Sequence, residues 1–260
     1  MSPFTVATWN VNSLKVRLAH LREFVGLQAI DALVLQEIKM EDKDFPAAAL
    51  EEMGFHAVAF GQKTYNGVAL LTRAPATDIV RGIPGYDDPQ ARVIAGTVRG
   101  VRVVGVYVPN GQAVGSDKYA YKLGWLEALT GYMQALVRDH GQVVVLGDYN
   151  IAPDDRDVHD PAAWAGQVHV SPAERAALGR LLELGYRDVF RELHADAGHY
   201  SWWDYRAGGF RRNHGLRIDL VLASTALARH LQGCRIEREP RTWERPSDHA
   251  PVIAEFGLPA

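Results

Sequence analysis

Val143-Val144-Val145-Leu146-Gly147-Asp148-Tyr149-Asn150 decides how this chain is read. A short run of β-branched and aliphatic residues is a buried strand. This one ends in a carboxylate and an amide two residues apart. A buried strand is where an unpartnered polar group is least tolerated. The same pattern recurs along the chain, in Thr8-Trp9-Asn10-Val11-Asn12, Leu35-Gln36-Glu37 and Val106-Tyr107-Val108-Pro109-Asn110. It returns in Arg217-Ile218-Asp219 and Pro246-Ser247-Asp248-His249. Together these stretches collect the Asn, Glu, Tyr, Asp and His side chains that metal-dependent phosphodiester hydrolysis needs at one site.

Working outward, strands are expected at residues 4–8, 32–35, 56–60, 67–72, 93–98, 101–108, 143–146, 218–223 and 252–256. Helices are expected after Ser13, which is placed to cap Leu14, Leu18, Leu21 and Val25, and after Phe45-Pro46 as far as Gly54. Tyr119 to His140 carries apolar residues at helical spacing. Ser171-Pro172-Ala173-Glu174 is a capping box with proline at the first helical position, and Gly185 ends that helix. Early strands alternate with helices and later ones form hairpins, so the fold class is α/β, with mixed sheets flanked by helices. The apolar runs are spread evenly over residues 1–260, which predicts one domain.

The composition, with 47% hydrophobic and 23% charged residues, is that of a globular protein. The single cysteine, Cys234, forms no intrachain disulfide and suits a reducing compartment. The N-terminal residues show no secretory signal and no run is long enough to span a bilayer, so a cytoplasmic protein is expected. A net charge of -3 does not announce a nucleic-acid binder, but a local basic face could still follow phosphates.

Phosphodiester hydrolysis needs a cation on a non-bridging oxygen, a base for water, and help for the leaving oxygen. Glu37, at the carboxyl end of a buried run, is a metal ligand of the hard-oxygen kind magnesium prefers; the alternative is a surface residue starting a loop. Asp148 can take a proton from water, and Asn150 can orient that water or the phosphate, but an Asx turn explains the same spacing. Asn10 and Asn12 offer amides to metal or phosphate, with capping of the next helix as the alternative at Asn12. Asp219, buried in an apolar run, needs a partner, and His249 is the natural one; the pair would hold a charged imidazole. Asp248 adds a carboxylate to the metal or caps a turn. Tyr107, at a strand end, can donate to a phosphoryl oxygen. The segment Trp202-Trp203-Asp204-Tyr205-Arg206 with Gly208-Gly209-Phe210-Arg211 mixes aromatics, arginine and glycine, which suits a loop that meets nucleic acid. One tryptophan is expected in the core and the other against substrate.

With these residues assembled, the chain resembles the exonuclease III family of apurinic/apyrimidinic endonucleases, within the endonuclease/exonuclease/phosphatase superfamily. Nearly the whole chain takes part, including Gly61-Gln62-Lys63, Tyr65-Asn66-Gly67, Ser201-Trp202-Trp203-Asp204-Tyr205-Arg206 and Arg245-Pro246-Ser247-Asp248-His249-Ala250-Pro251. The resemblance implies a four-layer α/β sandwich, with two mixed β-sheets packed face to face and flanked by helices. It implies a magnesium-dependent enzyme, with manganese as a substitute, acting as a monomer on double-stranded DNA at abasic sites and at damaged or recessed 3′ ends. By position, Glu37 looks like the principal metal ligand, with Asn12, Asp148, Asn150 and Asp248 around it. Asp148 looks like the residue that prepares water, His249 like the phosphate-contacting imidazole held by Asp219, and Tyr107, Asn10 and Asn150 like members of the same network. Trp202, Arg92, Asn110, Lys63 and Arg211 are the implied substrate contacts. Some family members have aspartate where Asn12 stands, which weakens Asn12 as a ligand. His169 sits where a loop could border the DNA cleft and tune the choice between a nick and a 3′ end, or it has no role.

Two rival readings follow from the same residues. Relatives in the superfamily hydrolyse inositol phosphates or sphingomyelin, and the segment Trp202 to Arg206 favours DNA over these. A non-catalytic DNA-binding module is the other, opposed by the intact Glu37, Asp148, Asp219 and His249.

Overall fold

The computed structural model describes residues 2–258. The first sheet has the order β11 (Leu231–Ile236), β12 (Val252–Leu258), β1 (Ser2–Asn10), β2 (Ala32–Gln36), β4 (Val68–Thr72) and β3 (His56–Phe60). The second runs β5 (Thr77–Arg81), β6 (Val93–Val98), β7 (Val101–Tyr107), β8 (Val143–Asp148), β10 (Asp219–Ser224) and β9 (Tyr186–Asp188). Each sheet is antiparallel except for one central parallel pair, β1 with β2 and β7 with β8.

Alternation along the strands explains the layers. Val6, Val34, Leu70, Ile94, Val103, Val144, Leu146 and Val221 point inward between the sheets and form one buried core. Their sequence neighbours point outward. Ala7, Leu33, Leu35 and Leu71 pack under the helices Leu14–Leu27 and Ala47–Glu52. Val104, Val145, Leu220 and Leu222 pack under Asp117–Asp139 and Pro172–Glu183. Both faces of each central strand are covered, which is why these strands read as continuous apolar runs. The result is the expected four-layer α/β sandwich. Gly105 permits the close approach of the sheets, because a Cβ there would lie 2.2 Å from Val34 of the opposite sheet.

The strands absent from the sequence reading are β5, β9 and β11. All three lie at a sheet edge or, for β9, at an edge in only three residues. Edge strands carry polar residues and lack a second buried face, so their pattern is weak. The capping box at Ser171 is present, with Glu174 N donating to Ser171 Oγ and Ser171 N to Glu174. Ser13 is a correction. It precedes its helix in a left-handed conformation (φ 88°) and its side chain makes no capping bond; instead its N–H donates to Glu37 O at 2.8 Å. The corner is set by strand-end contacts rather than by a cap.

A buried ion pair joins two of the helices. Lys122 and Glu174 have side chains with no solvent exposure. Lys122 Nζ donates to Glu174 and also to the carbonyls of Asn110 (3.1 Å) and Asn150 (2.7 Å). Replacing Lys122 with methionine leaves Glu174 buried without its cation. We expect Lys122→Met to lose roughly 3–5 kcal/mol of unfolding free energy, read from urea denaturation. A loss below about 1 kcal/mol would remove the pair from the account of this corner.

Candidate active site

All the polar strand ends identified in the sequence meet at one edge of the sandwich. Parallel pairing carries Asn10 and Glu37 out together from the first sheet, and Tyr107 and Asp148 from the second. Antiparallel pairing places Asp219, the first residue of β10, directly opposite Asp148. His249 arrives on the turn before β12, next to β1. Gly147 is required just before Asp148, since a Cβ there would lie 1.8 Å from Val106 O.

One chain of contacts runs through the cluster. Glu37 Oε1 accepts from Asn10 Nδ2 and from Tyr107 Oη, both at 2.9 Å. Asn10 Nδ2 also donates to Asp148 Oδ2 at 2.9 Å. His249 Nε2 faces Asp148 Oδ2 at 3.8 Å, and its Nδ1 lies 2.9 Å from Asp219 Oδ2. Ser247 Oγ donates to Asn10 O (2.6 Å) and accepts from His249 N (3.2 Å), locking the histidine turn to β1. Ser201 Oγ accepts the N–H groups of Ile218 and Asp219.

The electrostatics follow from burial. Burial alone would lower the His249 pKa, but the Asp219 and Asp148 carboxylates outweigh it and raise it to about 10. The histidine is therefore an imidazolium at neutral pH, donating from Nδ1 to Asp219. Burial raises Asp148 to about 7, helped by Asp219 and Glu37 and opposed by His249 and Asn10. Burial also works against ionised Glu37, but Lys39 and the Asn10 amide hold its carboxyl below the usual range. Asp148 thus titrates near neutrality beside the His249 imidazolium, a setting that suits a general base.

Two distinct groups of residues could hold a cation. Asp148, Asp219 and His249 present ligand atoms within 4.8 Å of one another. An imidazolium has no lone pair to give, so this group is already occupied by its own proton. The Glu37 corner suits a hard cation better. Glu37 Oε2 and Asn12 Oδ1 already converge on a cation, the ammonium of Lys39, at 2.8 and 2.6 Å. Both are hard oxygens, and Asp148 adds negative charge nearby.

The remaining expected residues divide by position. Asn12 Nδ2 donates to Asp248 Oδ1 (3.0 Å), and Trp202 Nε1 to Asp248 Oδ2 (2.9 Å), so Asp248 ties the aromatic segment to the site. Asn150 Nδ2 donates to Val108 O (3.0 Å) and its Oδ1 accepts from Asn110 (3.3 Å). His169 is buried beside them, its Nδ1 2.7 Å from Asn150 O; burial and Lys122 lower its pKa to about 4, so it is neutral. Trp203 is in the core, whereas Trp202 is partly exposed and packs with Trp164 on Leu216 and Ile218. Arg92 is buried, donates to Tyr107 O (3.0 Å) and lies over the Tyr107 ring. Lys63 and Arg211 are exposed, and Lys63 lines a groove with Lys15 and with Lys39, the partner of Glu37. The sequence alone assigns no role to Lys39 and Lys122, nor to Ser201 and Ser247 within the stretches that carry the resemblance. Lys39 stands two residues beyond Glu37, and Lys122 interrupts a helical stripe that is otherwise apolar; these were the available signals.

Residues 7–249 match the sequence model of the Endonuclease/Exonuclease/phosphatase family. The chain belongs to that family. Exodeoxyribonuclease III of Haemophilus influenzae is 35% identical to it over 96% of this chain and 98% of that protein. Among solved structures, a 3′ phosphatase, NExo, from Neisseria bound to a product DNA hairpin superposes with a TM-score of 0.97 at 48% identity. The match covers 98% of this chain and 100% of that one. An AP endonuclease from Archaeoglobus fulgidus gives 0.94 at 36% identity, again over 98% and 100%. The family match ends at His249, the last residue of the polar cluster, so it spans the site from Asn10 onward.

Proposed function

We propose that this chain is a DNA repair nuclease of the exodeoxyribonuclease III type. It hydrolyses phosphoesters at abasic sites and at damaged or recessed 3′ ends of double-stranded DNA, with magnesium or manganese, as a cytoplasmic monomer. One observation carries this reading: Glu37 and His249, from opposite ends of the sequence, share a single cluster through Asn10 and Asp148. The nucleases named above supply the substrate class.

Water is the nucleophile. Cys234 is buried in the core with its thiol pKa pushed up by burial, and it contacts none of the cluster. Asp148 Oδ2 accepts the proton of the attacking water as the new P–O bond forms and the bond from phosphorus to the 3′ oxygen breaks; the departing 3′ oxygen takes a proton from solvent and leaves as a 3′-hydroxyl, whether the phosphorus carries the next nucleotide or a 3′ blocking group. The 3.8 Å gap between His249 Nε2 and Asp148 is too long for a hydrogen bond, which leaves the imidazolium proton for a phosphoryl oxygen. Tyr107 and Asn10 fix Glu37, and Asn150 is held in place by Val108 O. Glu37, with Asn12 and Asp148, would hold the metal, which supplies charge stabilisation at the phosphate when bound. The partly exposed Trp202 offers an apolar face at the cluster's edge to the sugar or base beside the scissile phosphate.

The test is a set of labelled duplexes carrying an internal abasic site, a 3′-phosphate or a recessed 3′ end, digested side by side with magnesium. Cleavage leaving 3′-hydroxyl ends is expected. Turnover of phosphoinositides without any DNA cleavage would overturn the reading, as would abasic duplex that binds but stays uncut. Affinity for the duplex should also fall steeply with salt, because each phosphate contact releases counterions. A flat salt response is incompatible with a backbone-tracking nuclease.

A further inference from the structure

The distal part of the aromatic segment rests on a buried cation. Arg241 is 6% exposed, yet no ion pair at close range holds it among the described residues; the Asp248 carboxylate acts on it only from farther off. Its guanidinium carbon lies 5.0 Å from the ring centre of Phe210, 5.6 Å from Tyr205 and 5.8 Å from Trp203. Its Nη1 donates to Ser247 O, and its Nε has no partner. A buried arginine whose close contacts are ring faces and one carbonyl is a poor way to stabilise a fold. Its contacts join two functional pieces instead. Ser247 begins the turn that carries Asp248 and His249, and its hydroxyl holds both Asn10 O and His249 N. Phe210 and Tyr205 belong to the segment that also carries Trp202.

We propose that Arg241 is a positioning residue that fixes the aromatic DNA-facing segment, residues 202–212, relative to the His249 turn. The proposal rests on the nuclease reading, since it assigns that segment to DNA. The proximal end of the segment is tied to the turn by backbone, with Trp203 N donating to Asp248 O at 3.1 Å. Beyond Trp203 the tie passes through side chains: Tyr205 Oη to Pro246 O at 2.8 Å, and Arg241 beneath the rings. With Arg241 in place, DNA pressing on the segment meets a surface in fixed register with the imidazolium. Without it, the distal rings keep the Tyr205 tie and the Arg238 guanidinium over Trp203 and Phe210 but lose their link to Ser247 O, and a shift of a fraction of an ångström at the His249 turn lowers turnover rather than binding.

A double-mutant cycle on abasic duplex tests this. We expect Arg241→Met to lower kcat about tenfold with KM changed by less than about twofold, and Phe210→Leu to lower kcat about fivefold. The double variant should fall about tenfold, not about fiftyfold, because each change breaks the same linkage. Arg241→Lys, which keeps the charge under the rings, should recover part of the loss, and it replaces Arg241→Met in the cycle if that variant does not fold. Multiplying effects, or a loss confined to KM, would overturn the positioning role while leaving the nuclease reading intact. If the unsubstituted protein cuts no duplex, it is the nuclease reading that fails, and Arg241 falls with it.

Discussion

Asp148→Asn is expected to lower kcat on abasic duplex by about a thousandfold, the middle of the range for loss of a general base, while the protein still folds with a stability close to the native one. The two halves of that expectation have the same origin. Asp148 is buried opposite Asp219, and its pKa is raised from an ordinary 3.8 to about 7. The folded state therefore favours the protonated acid. The unfolded chain loses that proton near its ordinary pKa, so burying Asp148 penalises folding progressively as pH rises from about 4 to 7. Asparagine removes that penalty, and its one oxygen can keep the bond from Asn150 N that Asp148 Oδ1 accepts at 2.9 Å. Its amide nitrogen then faces Asn10 Nδ2, so the bond that Asp148 Oδ2 accepts is lost, which offsets part of the gain. Asparagine cannot take a proton from water. Turnover measured beside urea denaturation at pH 8 separates these effects. Near-native cleavage would remove Asp148 as the base, and a collapse of stability would mean the carboxylate is structural.

That pairing of a turn with the proposed base explains what was legible in the sequence. Asp148-Tyr149-Asn150 was open to two readings, an Asx turn or a site, and the structure holds a turn at the site. Asn150 N donates to Asp148 Oδ1 while Oδ2 faces Asn10 and His249. The same arrangement occurs at Asn10, whose Oδ1 accepts from Asn12 N, and at Asn110, whose Oδ1 accepts from Gln112 N. In each case the third residue has positive φ: 50° at Asn150, 43° at Asn12 and 58° at Gln112. A side chain that closes its own turn is held rigidly, with its second polar atom aimed outward. The strand ends were readable because apolar runs stop abruptly there. The central strands were readable because both faces are buried. Lys39 and Ser247 were not, because their roles depend on partners that only the fold brings near: Asn12 for Lys39, and Asn10 O for Ser247. Arg241 was hidden for the same reason, since nothing in Arg241-Thr242-Trp243 marks a cation seated under rings some thirty residues earlier in the sequence.

Asp219→Asn should lower kcat at pH 8 by about a hundredfold, and the loss should depend on pH. Asp219 accepts from His249 Nδ1 through Oδ2 at 2.9 Å, with Oδ1 at 3.2 Å. Burial opposes charge on this imidazole, so its pKa of about 10 exists only because carboxylates face it, Asp219 foremost. Without Asp219 the remaining support is Asp148, 3.8 Å away, and more weakly Asp248, and burial draws the pKa back toward the ordinary 6.5. At pH 8 the imidazole is then neutral and offers the phosphate no positive charge. The kcat/KM profile of the native protein should be a bell, rising as Asp148 ionises near or below pH 7 and falling as His249 deprotonates near pH 10. In Asp219→Asn the falling limb moves down by more than about two pH units, so relative activity recovers on acidification. Stability gives an independent check with a fixed sign. A histidine whose folded pKa exceeds its unfolded value stabilises fully below the unfolded value, near 6.5, and loses that contribution as pH rises through about 10. Native protein should weaken over that window, and Asp219→Asn should show a shallower slope. A pH profile lowered uniformly, with its falling limb unmoved, would show that Asp219 positions the ring without charging it.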